Sequence, residues 1–201
     1  MASMESLGEL LQEELKDIYD AEKQLTRALP KLAKKASASE LQEAFEDHLR
    51  QTEQHIERLE QVFDQLGMPA RGKKCEGMKH LIAEGDEMIA DAEDDATRDA
   101  LMISAAQKVE HYEIASYGTL RTWANLLGKG DIAALLEDTL EEEKETDERL
   151  TGIAESFVNQ AAAEGEEDED MRPTRGRKTA ATRRATTSAS RRPQAADRKR
   201  R

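Results

Sequence analysis

The sequence predicts an all-α protein, a four-helix bundle with one long crossover that contains a short fifth helix. Aromatic residues make up only 3% of the chain, charged residues 36%, and there are four prolines. This composition is typical of long helices. Apolar residues also recur at steps of three and four in four long segments, the period of a helix with one buried face.

The first two predicted helices are joined by a short connection. The first covers about residues 6–35, and Pro30 inside it predicts a kink or a break, since proline removes a backbone hydrogen bond. The second covers about residues 39–66. Ser39 is its predicted N-cap, and Gly67 marks its end.

The second pair follows a long crossover, residues 70–95, which contains a shorter amphipathic helix. The third long helix covers about residues 96–127. The fourth begins with Asp131 as its predicted cap and ends near Ala163. Two short connections on either side of a long one are the layout of a ferritin-like fold. A plain up-down bundle of five helices is the alternative.

The chain divides into a predicted bundle, residues 1–163, and a predicted disordered tail, residues 164–201, which is first acidic and then basic. Residues 172–201 hold twelve Lys or Arg against a single Asp, a net charge of +11. Because the whole chain carries −13, residues 1–171 carry −24. The basic segment is suited to non-specific contact with nucleic acid or to folding back on the acidic body, and both interpretations stay open.

A cytoplasmic protein without membrane contact is expected. No run approaches the roughly 20 apolar residues that a membrane span requires, and the N-terminal residues lack a secretory pattern. The single cysteine, Cys75, cannot form an internal disulfide, which fits a reducing compartment. We expect Cys75 to be exposed and chemically inert.

Polar side chains interrupt the apolar face of all four long helices near the middle of each helix. The interrupting residues are Glu22, His48, Thr52, Glu110, Glu113, Glu143 and Asp147. Steps of three and four place Glu110 and Glu113 on the same face as Tyr117. His111 projects about 100° away from Glu110, so it need not share that environment.

Buried carboxylates without partners are costly, by several kcal/mol each, and these faces contain no Lys or Arg to neutralise them. Two metal ions held by several carboxylates and an imidazole would offset the charge, and this donor set favours iron or manganese. A single such glutamate is more often half-exposed or paired, but the coincidence on four helices favours metal. The predicted metal ligands are Glu22, His48, Glu110, Glu113, Glu143 and Asp147.

The remaining histidines and the tyrosines have weaker signals. Di-iron bundles usually carry Glu-x-x-His pairs, but no histidine here has a glutamate three residues before it. We expect His55 and His80 to face solvent. Tyr19, Tyr112 and Tyr117 are expected to be packed tyrosines that each donate one hydrogen bond.

Four blocks of the sequence together are similar to one known family. They are YDAEKQLTRALPKLA (19–33), AFEDHLRQTEQHIERLEQVF (44–63), AAQKVEHYEIASYGTL (105–120) and TLEEEKETDERLT (139–151). In order and spacing they resemble the YciE/YciF family of ferritin-like stress proteins, over about residues 5–160. The resemblance implies a ferritin-like bundle, a homodimer and a di-iron centre of the ferroxidase type.

By position, the resemblance puts the metal site at Glu22, His48, Glu110, Glu113 and one of the pair Glu142 and Glu143. Where the family often has acidic residues after the histidine of its second block, this chain has Arg50 and Gln51, and Gln51 and Glu53 are the alternatives. The expected function is oxidation of Fe(II) by dioxygen or peroxide at a dinuclear iron site, with manganese as the other candidate metal. The alternative is a metal-free structural or DNA-associating stress protein.

Overall fold

The computed structural model describes residues 5–170, with side chains as far as Glu164. The helices are α1 (Leu7–Lys35), α2 (Ser39–Gln65), α3 (Glu76–Ala90), α4 (Asp95–Leu126), α5 (Gly130–Ile153) and α6 (Asn159–Asp170), with a π-helical turn (Ala154–Val158) between the last two. The predicted all-α bundle with its crossover helix is confirmed, and residues 5–170 contain no strand. Within the same residues, no helix has the length and apolar character needed to span a membrane.

The helical structure continues past the predicted end of the bundle. The fourth long helix was expected to end near Ala163, whereas α6 extends to Asp170. The rest of the predicted disordered tail, residues 171–201, and the nucleic-acid contact expected through residues 172–201 lie outside the described residues.

The four long helices pack as two pairs. α1 packs chiefly on α2, and α4 chiefly on α5, while the crossover helix α3 lies against α4 and α1. Their apolar faces meet in a core that includes Leu15, Leu41, Leu120 and Leu136, each at most 1% exposed. Burial of each such side chain contributes about 1.5–3 kcal/mol, which is what allows the bundle to hold polar groups at its centre.

Helix α1 begins at a capping box and runs past its proline. The Ser6 hydroxyl accepts a hydrogen bond from the Glu9 backbone N–H at 3.2 Å, and the Glu9 carboxylate accepts from the Ser6 N–H at 3.2 Å. Pro30 lies inside the helix, which continues to Lys35. The proline therefore does not break α1.

The predicted N-cap of α2 is wrong. Ser39 is the first helical residue, and the N-cap, Ala38, makes no side-chain capping bond. Instead the Asp99 carboxylate of α4 accepts hydrogen bonds from the backbone N–H groups of Ser37 at 2.9 Å and Ala38 at 2.8 Å. A side chain distant in sequence thus neutralises the N-terminal end of this helix.

The predicted cap of α5 is also wrong. Asp131 lies inside the helix, which begins at Gly130 with Lys129 at the N-cap position. Gly128 has a φ of 70°, a left-handed conformation that glycine adopts without strain. The Lys129 N–H then bonds to the Ala124 carbonyl at 2.9 Å, so the tight turn is complete before Asp131 is reached.

Candidate metal centre

Six buried polar side chains meet at the centre of the bundle, between α1, α2, α4 and α5. We call them the polar cluster: Glu22, His48, His55, Glu110, Glu113 and Glu143. None of them is more than 3% exposed. Each side chain takes the place of an apolar residue on the inner face of its helix, so the helical period itself brings them together.

The cluster divides into two sets of potential ligand atoms, and within each set the atoms lie within 4.8 Å of one another. His48, Glu110, Glu113 and Glu143 provide the first set. Glu22, His55 and Glu143 provide the second. Glu143 belongs to both, as a carboxylate that bridges two neighbouring metal ions must.

Each histidine directs one ring nitrogen into the cluster. His48 Nε2 lies 3.3 Å from Glu110 Oε1 and 4.0 Å from Glu143 Oε2. His55 Nδ1 lies 3.1 Å from Glu143 Oε1 and 3.5 Å from Glu22 Oε1. Neutral imidazole nitrogens in these positions would be metal ligands of the type that iron and manganese accept.

The outer nitrogen of His55 is held by a charged pair. His55 Nε2 lies 2.8 Å from Glu142 Oε2, and Arg58 donates two hydrogen bonds to Glu142, at 2.6 and 2.7 Å. A proton on Nε2, donated to Glu142, leaves Nδ1 free to bind a metal, which is the usual arrangement around a metal-binding histidine. The structure therefore places Glu143 inside the cluster and Glu142 behind His55.

The outer nitrogen of His48 has a weaker contact. Thr146 Oγ1 lies 3.4 Å from His48 Nδ1 and donates its own hydrogen bond to the Glu142 carbonyl at 3.0 Å. His48 is therefore positioned mainly by burial between α2 and α5. Its ring contributes to the first ligand set only.

Unsatisfied polar atoms concentrate in this cluster. Within the described side chains, nine buried nitrogen or oxygen atoms have no hydrogen-bond partner, and eight of them belong to the polar cluster. They are both oxygens of Glu113 and Glu143, one oxygen each of Glu22 and Glu110, and one ring nitrogen each of His48 and His55. An orphaned buried group costs about 1–3 kcal/mol. Cations at the centre would satisfy these atoms, so the residues present fit a metal site.

Burial and mutual repulsion act on the carboxyl groups of α4. The pKa values of Glu110 and Glu113 are raised well above the ordinary range. Burial is the main cause, and the negative charge of Glu143 is the second. Burial also raises the pKa of Glu22. Without a metal, protons are therefore the ions that balance part of the charge on these groups.

The positive charge of the His55 ring balances another part of the negative charge in the polar cluster. Burial works against a charged ring, yet the carboxylates of Glu142, Glu143 and Glu22 raise the pKa of His55 to about 12. Burial alone would raise the pKa of Glu143, but the His55 imidazolium lowers it. A metal ion in the second set would take the place of the Nδ1 proton of His55.

Tyr117 closes the α1 side of the cluster. Its hydroxyl donates a hydrogen bond to Glu22 Oε1 in the fully buried interior. Tyr112 donates to Asp17 at 2.7 Å and Tyr19 to Glu60 at 2.7 Å, so the prediction of packed tyrosines with one hydrogen bond each is confirmed.

Asp147 does not join the predicted ligands. It lies one turn beyond Glu143, where its side chain is 20% exposed and 3.4 Å from His111 Nε2. Gln107 Nε2 donates to its other oxygen at 3.1 Å. Asp147 belongs to neither ligand set. Of the alternatives on α2, Gln51 is half-buried and Glu53 is exposed.

Sequence reasoning missed His55, which was expected to face solvent but is fully buried. The buried face of α2 passes from Thr52 to His55 and Leu59. A step of four from Thr52 leads instead to the apolar residue Ile56, which is only half-buried. The available signal was the spacing of His48 and His55, seven residues or two helical turns.

The expectation that Cys75 is exposed is also wrong. This residue is fully buried, and its thiol caps α3 by accepting from the Met78 N–H at 3.3 Å. It also lies 3.1 Å from the Tyr112 hydroxyl, so packing against α4 covers it. His80 is exposed as expected, with its side chain 71% accessible, and His111, which was not assigned to the inner face, is 70% accessible.

Comparisons with known proteins agree with this architecture. A family model described as a domain of unknown function, DUF892, matches residues 6–163. The protein YciF of Escherichia coli K12 is 48% identical over 161 residues, which are 80% of this chain and 97% of YciF.

Solved structures show the same relationship. The structure of the E. coli stress protein YciF superimposes with a TM-score of 0.74 at 49% identity, covering 78% of this chain and 99% of that one. YcfI of Rhodopseudomonas palustris gives a TM-score of 0.73 at 42% identity, covering 74% and 95%. A Xanthomonas campestris protein at 24% identity and a TM-score of 0.64 shares the fold, covering 83% of this chain and 100% of its own. The helical bundle, its crossover and these matches together show that the chain belongs to the DUF892 family, which includes YciF.

Proposed function

We propose that the polar cluster is a dinuclear metal centre, with iron as the first candidate and manganese as the second, and that the protein oxidises Fe(II) with dioxygen or peroxide. The observation that supports this most directly is the set of eight buried, unsatisfied ligand atoms contributed by four helices. Carboxylates with a few imidazoles are the donors that these two metals prefer. Such a reaction suits a relative of a stress protein.

Different residues of the polar cluster would bind the two metal ions. His48 and Glu110 would hold one ion, and Glu22 and His55 would hold the other, because each pair belongs to a different ligand set. Glu143, which belongs to both sets, would be shared by the two ions, and Glu113, which belongs to the first set only, would be a further ligand of the first ion. Bound iron would supply the electrons, while these side chains set its position and offset its charge.

Neighbouring side chains control the ligands. Arg58 and Glu142 hold the ring of His55 in place, and Tyr117 orients Glu22 by donating a hydrogen bond to it. The surrounding apolar core excludes bulk water, which strengthens every electrostatic interaction at the centre.

The test is anaerobic loading of metal-stripped, full-length protein with Fe(II), followed by admission of air. We expect two irons per chain by elemental analysis and the absorbance of an oxo-bridged ferric pair. Glu143→Gln should abolish both signals, because it removes the shared ligand. Glu141→Gln is the matched control, since Glu141 is an exposed residue on the same helix. Protein that takes up no metal and develops no ferric absorbance contradicts the proposal.

A metal-free structural role is the second candidate. The charged ring of His55, with a pKa of about 12, and the nearby Arg58 offset part of the buried negative charge without any metal. Under that hypothesis, added Fe(II) or Mn(II) leaves the melting temperature unchanged. A dinuclear centre instead raises it in proportion to the logarithm of the free metal concentration.

A further inference from the structure

A narrow apolar cleft enters the bundle beneath the crossover helix. Its walls come from three helices: Leu25 and Leu29 of α1, Ile82 and Ile89 of α3, and Ala106 and Val109 of α4. Two members of the polar cluster, His48 and Glu110, also line it. Both are almost completely buried, so the cleft reaches the interior side of the first ligand set.

The size of the cleft limits what it admits. Its volume is about 40 Å³, and one water-sized molecule occupies roughly 10–15 Å³ on this measure. About three or four such molecules fill it. A diatomic molecule fits, whereas an organic substrate with a ring does not.

The chemistry of the walls further limits which molecules the cleft admits. Apart from the two cluster residues, Asp86 is the charged residue that lines the cleft, and it is half-exposed with Lys35 Nζ at 3.7 Å. A hydrated cation that passed the hydrocarbon walls would lose its water shell at a cost of several kcal/mol. A small uncharged molecule has no such penalty, and apolar cavities of this kind bind xenon.

Ions have a more polar approach on another side of His48. Between α2 and α5 lies a pocket of about 170 Å³ lined by Gln51, Glu145, Thr146 and Arg149 together with Ala44. Thr146 Oγ1 is the atom 3.4 Å from His48 Nδ1. Charged and uncharged species therefore meet different surfaces on their way to the same histidine.

We propose that the cleft beneath α3 is the route by which a small uncharged oxidant of the size of dioxygen reaches the His48 and Glu110 side of the centre. The inference rests on the proposed function, because the route ends at the proposed metal centre. The cleft and the molecules that it binds can nevertheless be tested without any metal.

The test begins with xenon as the probe, applied under pressure to crystals of the full-length protein in metal-free and iron-loaded forms. We expect a xenon atom between Ile82 and Ala106 in both forms. Ala106→Leu should exclude it, since Ala106 lies one turn from Glu110 on the same face. Ala28→Phe tests the same route at a half-buried wall residue, in case the first variant folds poorly.

Ala83→Phe is the matched control, because Ala83 is an exposed residue of α3 that does not line the cleft. In the iron-loaded protein, the variants that exclude xenon should raise the KM for dioxygen several-fold without changing iron stoichiometry. An empty cleft in the wild-type crystals overturns the inference, as does an unaltered dependence on dioxygen in variants that exclude xenon. Failure of the wild type to bind iron is measured separately and contradicts the metal centre rather than the xenon site.

Discussion

At the scale of single residues, Glu113 is the side chain least compatible with a metal-free interior. Neither of its oxygens has a hydrogen-bond partner, and the side chain is fully buried. The same is true of Glu143, but Glu143 Oε1 lies 3.1 Å from the ring nitrogen Nδ1 of His55, which offsets its charge. We expect Glu113→Gln to abolish metal binding in the first ligand set yet to stabilise the metal-free protein by about 1 kcal/mol or more at neutral pH. The wild-type folded chain must keep this buried carboxyl group protonated at that pH, at a free-energy cost that the neutral amide does not have.

The gain from Glu113→Gln should depend on pH in a defined direction. Burial raises the pKa of Glu113 in the folded protein above the ordinary 4.5, so above 4.5 the unfolded chain has released a proton that the folded chain still holds. Wild-type stability therefore falls as pH rises through this range, and the advantage of the variant grows. Denaturant unfolding at several pH values, in the presence of a chelator, measures this difference in unfolding free energy between the variant and the wild type. Glu53→Gln, at an exposed position, should show no such trend.

His55 should hold one ion of the pair. Because it belongs only to the second ligand set, His55→Gln is expected to reduce binding from two irons per chain to one. His80→Gln should leave both, since His80 is exposed. Anaerobic titration with Fe(II) and elemental analysis provide the count, and full binding by the His55 variant would contradict its assignment as a ligand.

Arg58 is expected to act through its neighbours rather than on the metal. It holds Glu142 with two hydrogen bonds, and Glu142 in turn holds His55. Loss of such outer contacts typically weakens metal affinity by about 10- to 100-fold. We expect Arg58→Met to weaken metal affinity to this extent without changing the number of ions bound. Arg58→Lys should recover part of the affinity. Arg50→Met, at an exposed site, should have no effect. A competition titration with a chelator of known affinity separates these results.

At the scale of helices, Asp99 links the start of α2 to α4. Its carboxylate is 3% exposed and accepts from two backbone N–H groups of residues 37 and 38, as well as from the Ser37 hydroxyl at 2.6 Å. Asp99→Ala leaves these donors without a partner, which we expect to cost about 1–3 kcal/mol of unfolding free energy. Asp95→Ala, at an exposed position of the same helix, should change it by less than about 0.5 kcal/mol. Chemical denaturation at a fixed pH compares the two.

Helical periodicity was sufficient to predict the long helices and to bring Glu22, His48, Glu110 and Glu143 to one centre. It was not sufficient for His55, because Ile56 and His55 differ by only about 100° around the helix axis and an apolar residue is the default choice for the inner face. The prediction of the α2 N-cap was wrong for another reason. Asp99 stabilises a helix that begins 60 residues earlier in the chain, and no local pattern records a contact of that range.

At the scale of the whole molecule, charge is distributed very unevenly along the chain. Residues 1–171 carry −24 and residues 172–201 carry +11. The body repels polyanions, so any affinity for DNA must come from the basic segment.

The homodimer that the family resemblance implies stays a prediction, and sedimentation equilibrium is the direct measurement of it.

We expect full-length protein to retard duplex DNA in a gel and a truncation after Asp170 not to do so. The basic segment holds twelve Lys or Arg, and each phosphate that it neutralises releases condensed counterions, so log affinity should fall linearly with log salt at a slope of about −0.9 per contact. Intramolecular pairing with the acidic body would compete for the same charges and lower the number of contacts that the slope reports. Equal retardation of both proteins would exclude a role for the segment, whereas a steep slope confined to the full-length protein would assign DNA contact to it.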